Sequence, residues 1–61
     1  MANLTAKELA HLEDQLGMEQ LLVTKYKSIA GMTGDPQLKT KCEQIAARHQ
    51  EHYKRLLCHL N

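Results

Sequence analysis

The chain is expected to be all-α, an antiparallel helical hairpin that pairs with a second copy of itself into a four-helix bundle. Three observations carry this expectation. Apolar residues recur at steps of three and four along two stretches, and a glycine-bounded break separates those stretches near mid-chain. Each stretch also carries more apolar surface than a chain of 61 residues can cover alone.

Helix one is predicted over about 5–31. Thr5 followed by Glu8 is a capping box, in which each side chain satisfies an unpaired backbone N–H of the first turn. From there Leu9, Leu12, Leu16, Glu19, Val23, Tyr26 and Ala30 keep to one helical face. Gly31-Met32-Thr33-Gly34 interrupts the pattern, and Gly31 suits a left-handed C-cap, so the turn is placed at 32–35. Gly17, inside the helix, costs about 1 kcal/mol in propensity and suggests a close helix approach or a local adjustment beside Glu19.

Asp35-Pro36 reads as N-cap and first helical residue, since proline lacks an N–H that this position leaves unpaired. Helix two is predicted over about 36–60, with Leu38, Cys42, Ile45, His49, His52, Leu56 and His59 along its stripe. A connection this short makes the helices antiparallel neighbours, and 1–61 forms one domain. Beside these stripes lie two more, Met18, Leu22 and Ile29 on the first helix and Ala46, Tyr53, Leu57 and Leu60 on the second. A twofold dimer of hairpins is the simplest closed assembly that buries all four.

Eight basic and seven acidic residues are interspersed, giving a net charge of +1 without the Lys/Arg cluster that tracks phosphates. Nucleic acid is therefore not an expected partner. Met1–Lys7 lacks the apolar run of a signal peptide, and no segment approaches the roughly 18 apolar residues of a membrane span, so an intracellular protein is expected. On one helix Cys42 and Cys58 would stand roughly 24 Å apart at about 1.5 Å per residue, too far for an intrachain disulfide. Cys42 is expected to be a small buried hydrophobe, whereas Cys58 lies off the stripe, where a crosslink between chains is conceivable.

Glu19, His49 and His52 occupy stripe positions that a simple bundle fills with leucine. Twelve residues back from Gly31 is Glu19, and twelve on from Pro36 is Arg48, so the hairpin places Glu19 level with His49 and His52. Burying a carboxylate or an imidazole without partners costs several kcal/mol, which leaves mutual hydrogen bonds, water or a metal to satisfy the layer. His49-x-x-His52 puts two imidazoles on one face, and Glu19 completes an N₂O set that zinc or iron accepts with one position open. The competing reading is a metal-free Glu–His layer that sets register and dimer symmetry. No Gly-rich phosphate loop, nucleophile elbow or Ser-His-acid arrangement is present, so no enzyme activity is expected.

The runs Leu4-Thr-Ala-Lys-Glu-Leu9, Leu16-Gly-Met-Glu-Gln20, Asp35-Pro-Gln-Leu-Lys39 and Cys42-Glu-Gln-Ile-Ala-Ala-Arg-His-Gln-Glu-His-Tyr53 resemble the small coat-F-type spore coat proteins of spore-forming Firmicutes. The resemblance covers essentially the whole chain. It implies a ferritin-like bundle made from two chains, a structural role in the endospore coat and other coat proteins as partners. Ferritin-like proteins carry a Glu on the first helix of each pair and Glu-x-x-His on the second. Glu19 and His52 match that pattern, but His49 stands where the bridging Glu would be, which favours zinc or no metal over a carboxylate-bridged di-iron centre. The sequence thus predicts a structural coat protein that self-associates, with a metal or a metal-free polar layer at its centre. The alternative is a ferritin-like protein with redox or peroxide-handling activity at a site spanning the dimer.

Overall fold

The computed structural model describes residues 4–60 and consists of two long helices packed against each other, without strands among those residues. Helix α1 spans Ala6–Met32 and helix α2 spans Pro36–Leu57, followed by one 3-10 turn, Cys58–Leu60. The predicted single domain of 1–61 therefore has Met1–Asn3 and Asn61 outside the described residues.

Both helix starts are built as their sequences require. Thr5 Oγ1 accepts from the Glu8 N–H at 3.1 Å, and Glu8 Oε1 accepts from the Thr5 N–H at 3.1 Å. These two bonds hold the Glu8 carboxyl below its ordinary pKa, the Thr5 backbone N–H being the larger cause and the Thr5 side chain the lesser. At α2, Asp35 Oδ1 accepts from the Gln37 and Leu38 N–H groups at 2.9 and 3.4 Å, and Pro36 takes the first helical position.

The end of α1 differs from expectation. The helix runs one residue beyond Gly31, to Met32, and no described glycine has positive φ. Thr33 ends it instead in extended backbone (φ −78°, ψ 141°), with its N–H donating to the Ile29 carbonyl at 3.0 Å. Its hydroxyl then accepts from the Asp35 N–H at 3.1 Å, so one threonine closes the first helix and orients the cap of the second. The turn shrinks accordingly to Thr33–Asp35, and α2 tightens into its 3-10 turn at Cys58 rather than continuing to 60.

Each helix presents three adjacent rows spaced by seven residues. On α1 the rows are Leu12-Glu19-Tyr26, Leu16-Val23-Ala30 and Gln15-Leu22-Ile29; on α2 they are Cys42-His49-Leu56, Ala46-Tyr53-Leu60 and Ile45-His52-His59. The four buried apolar residues, Leu12, Ala30, Cys42 and Ala46, all come from the first two rows of each helix. These rows make the contact inside the hairpin. In the third rows Gln15, Leu22, Ile29, Ile45 and His52 are only half-buried, and Gln15 and His52 line a groove on one side of the hairpin. Leu9 and Leu38, counted in the predicted stripes, are exposed because they lie near helix starts, beyond full cover by the opposite helix. His59 is exposed beyond the end of α2.

Gly17 does not mark a close helix approach. A Cβ placed there would meet no atom within 4 Å, and the residue faces away from α2.

Candidate metal centre

Glu19 lies midway along α1, and His49 and His52 lie in the second half of α2. The antiparallel register set by the three-residue turn brings them to one level. Glu19 Oε1 is 2.9 Å from His49 Nδ1, in hydrogen-bonding geometry, and Glu19 Oε2 is 3.0 Å from His52 Nδ1. One carboxylate thus engages two imidazoles, one oxygen each. The rings meet edge to face, with centroids 5.6 Å apart and planes at 85°, as two residues on adjacent corners of a helix should. Tyr26, two turns after Glu19, lies nearly parallel to His49, with centroids 6.4 Å apart and planes at 14°.

Exposure rises across the cluster. Side-chain exposure is 13% for Glu19, 23% for His49 and 43% for His52. The carboxylate is therefore the inner group, and the cluster opens toward solvent at His52. That opening is a groove of about 330 Å³ lined by Gln15, Glu19, His52, Arg55 and Leu56. A second groove, of about 270 Å³, runs along the opposite side of the hairpin between Val23 and Tyr53, and Gln20, Thr24 and Gln50 make its rim polar.

One oxygen of Glu19 and one ring nitrogen from each histidine all lie within 4.8 Å of one another. A tetrahedral ion bound at about 2.0–2.1 Å holds its ligands roughly 3.3 Å apart. Glu19 Oε1 and His49 Nδ1, at 2.9 Å, and Glu19 Oε2 and His52 Nδ1, at 3.0 Å, lie slightly inside that spacing, so admitting an ion requires both pairs to open. Each Nδ1 must then present its lone pair, which moves the ring proton to Nε2. The same three groups also satisfy one another without an ion: no described buried side-chain nitrogen or oxygen lacks a partner. The geometry accommodates a divalent metal and a metal-free polar layer alike.

The other histidines and the two cysteines stay apart from this centre. His11 and His59 are exposed, and His59 Nδ1 lies 3.1 Å from the Arg55 carbonyl. Cys42 is buried and Cys58 exposed, and both are free thiols. Met18 is exposed on the face of α1 next to the His52 groove. Sequence reasoning missed Arg55, which lies off the apolar stripe and reaches the groove only because it stands one turn beyond His52. No described helix is long and apolar enough to cross a membrane. Comparison with protein-family models, curated proteins and solved structures returns no match.

Proposed function

We propose that the chain is a structural module that pairs through its His52 face into a four-helix bundle, with Glu19, His49 and His52 of each copy seating a zinc- or iron-type divalent ion in the central layer. The observation that carries this reading is the position of the cluster, half-open on the face that the hairpin leaves uncovered. The three side chains partner one another within the chain, and a second hairpin laid on this face would cover the half-exposed side that still meets water.

Surface area supports the pairing. The chain exposes 4862 Å², whereas a compact monomer of 7.0 kDa exposes only about 4,000 Å². The excess, roughly 800 Å², is close to what one partner contributes to a stable interface. A radius of gyration of 14.3 Å, against about 10–11 Å for a compact chain of this length, points the same way. The His52 face suits the contact better than the opposite one. On that side of α1 the three-four spacing sets half-buried Leu22 and Ile29 beside exposed Met18, while Gln20, Thr24 and Gln50 rim the other groove.

The resemblance to coat-F-type proteins supports a place for this module in the endospore coat, where a metal-pinned bundle would serve as a building block. Elemental analysis of protein purified without an affinity tag tests the metal. About one zinc or iron per chain, lost in His52→Ala, is the expected result. Metal-free protein of unchanged oligomeric state would remove the metal from the reading and leave the polar layer. Peroxide consumption by the iron-loaded protein, abolished with the metal, would shift it to the redox alternative. Antibody labelling of sporulating cells tests the location, with signal confined to the coat layers expected and uniform labelling of vegetative cells contrary to it.

A further inference from the structure

We infer that the groove beside His52 binds a small oxyanion or carboxylate between the metal and Arg55. The inference rests on the metal reading above and goes beyond it by naming what occupies the open position. Three features carry it: the charge of the donor set, the location of the opening and the residues that line it.

The donor set under-compensates a divalent ion. Two neutral imidazoles contribute no charge and Glu19 contributes one negative charge, so the loaded site keeps a net charge of +1. Arg55, which lines the same groove, is always protonated and raises the local excess to +2. Glu19 is the only carboxylate among the groove's lining residues, and both of its oxygens already face the imidazoles. Pairing two hairpins does not change the count per chain, because each copy brings one ion, one Glu19 and one Arg55. It strengthens the demand, since a groove closed by a second hairpin has a lower dielectric than one open to water.

The cluster opens to solvent at His52, the most exposed of the three, and an N₂O set leaves one coordination position for a further ligand. The groove extends from there past Arg55, on the next turn of α2. An anion with two or more acceptor oxygens can give one to the metal and another to the guanidinium, whose planar fork matches carboxylate and phosphate. Gln15, on the α1 wall, supplies an amide donor, and Leu56 supplies an apolar surface. The groove is open to solvent, and its volume of about 330 Å³ has room for a small ligand.

Cobalt(II)-substituted protein tests this, because its visible bands report the ion's coordination independently of any activity. Wild-type protein loaded with cobalt is titrated with acetate and, separately, with inorganic phosphate, at constant ionic strength. A saturable band change is expected, and Arg55→Gln should weaken the binding that produces it about tenfold or more while leaving cobalt affinity unchanged. If both anions act, the shared oxyanion chemistry is what the groove reads; if only one does, that ligand class is assigned. Cobalt bands insensitive to both anions, or equally sensitive in Arg55→Gln, would overturn the anion site while leaving the metal in place. Absence of cobalt bands in a helical, correctly folded protein would instead overturn the metal reading and this inference with it.

Discussion

Replacing Glu19 with Gln separates the two ways in which the central layer can be satisfied. The substitution keeps the shape of the side chain but removes its charge and turns one acceptor oxygen into a donor. In the metal-free protein, the carboxylate accepts a charge-assisted hydrogen bond from His49 Nδ1 at 2.9 Å and lies 3.0 Å from His52 Nδ1. Such bonds contribute about 1.5–3 kcal/mol each when buried. His52 is 43% exposed, so its share is largely screened, and a loss of about 1–2 kcal/mol is expected in chelator. With metal at a hundred times its dissociation constant, the wild type gains about 2.7 kcal/mol that the variant cannot recover in full. Urea unfolding at fixed protein concentration, followed by far-ultraviolet circular dichroism with and without zinc, reads both terms. The variant should be modestly weaker in chelator, and the gap should widen by about 2 kcal/mol when zinc is added. An equal response of both proteins to zinc would show that Glu19 is not a ligand. Equal stability in chelator would show that its contacts with the histidines contribute nothing.

Four further substitutions probe the rest of the fold. Gly17→Ala should stabilise the protein by about 0.5–1 kcal/mol, read by thermal unfolding, because the new methyl meets open space in a helix interior; destabilisation would mean that another chain packs there. Thr5→Ala removes the cap of α1 and should cost about 1 kcal/mol, with fraying detectable by amide exchange in the first turn. Glu8, whose carboxyl is held below its ordinary pKa, contributes stability that is complete above the ordinary carboxylate range and is lost as pH falls through the lowered value. Glu8→Gln should therefore flatten the acid side of the stability profile, and an unchanged profile would contradict the capping box. Leu22→Asp places a charge on the His52 face outside the contact between α1 and α2, so helicity should persist in the hairpin while dimer mass falls. Retention of full dimer affinity would move the interface elsewhere.

Much of this architecture was legible in the sequence because it rests on local chemistry. The capping box, Asp35-Pro36 and the three-four spacing act within a few residues, and each appears in the structure where its motif stands. The level of Glu19 with His49 and His52 was also legible, since a short turn leaves an antiparallel pair little freedom of register. Helix periodicity gives the angle of a residue about its own axis but not the hand with which two helices are laid together. The stripe of Met18, Leu22 and Ile29 consequently flanks the same side as His52, whereas Tyr53 shares the opposite groove with Val23. The two extra stripes do not form one face, and only the three-dimensional arrangement reveals this. Gly17 was misread for a related reason: a glycine's cost is visible in sequence, but whether anything approaches it is not. Arg55 escaped notice because a charged residue off the stripe ordinarily belongs to solvent.

Mass in solution bears most directly on the proposed pairing of hairpins. Sedimentation equilibrium over micromolar concentrations, in zinc and in chelator, should give twice the 7.0 kDa chain mass, with tighter association in zinc. A folded, fully helical species that stays at 7.0 kDa under both conditions would contradict the paired bundle.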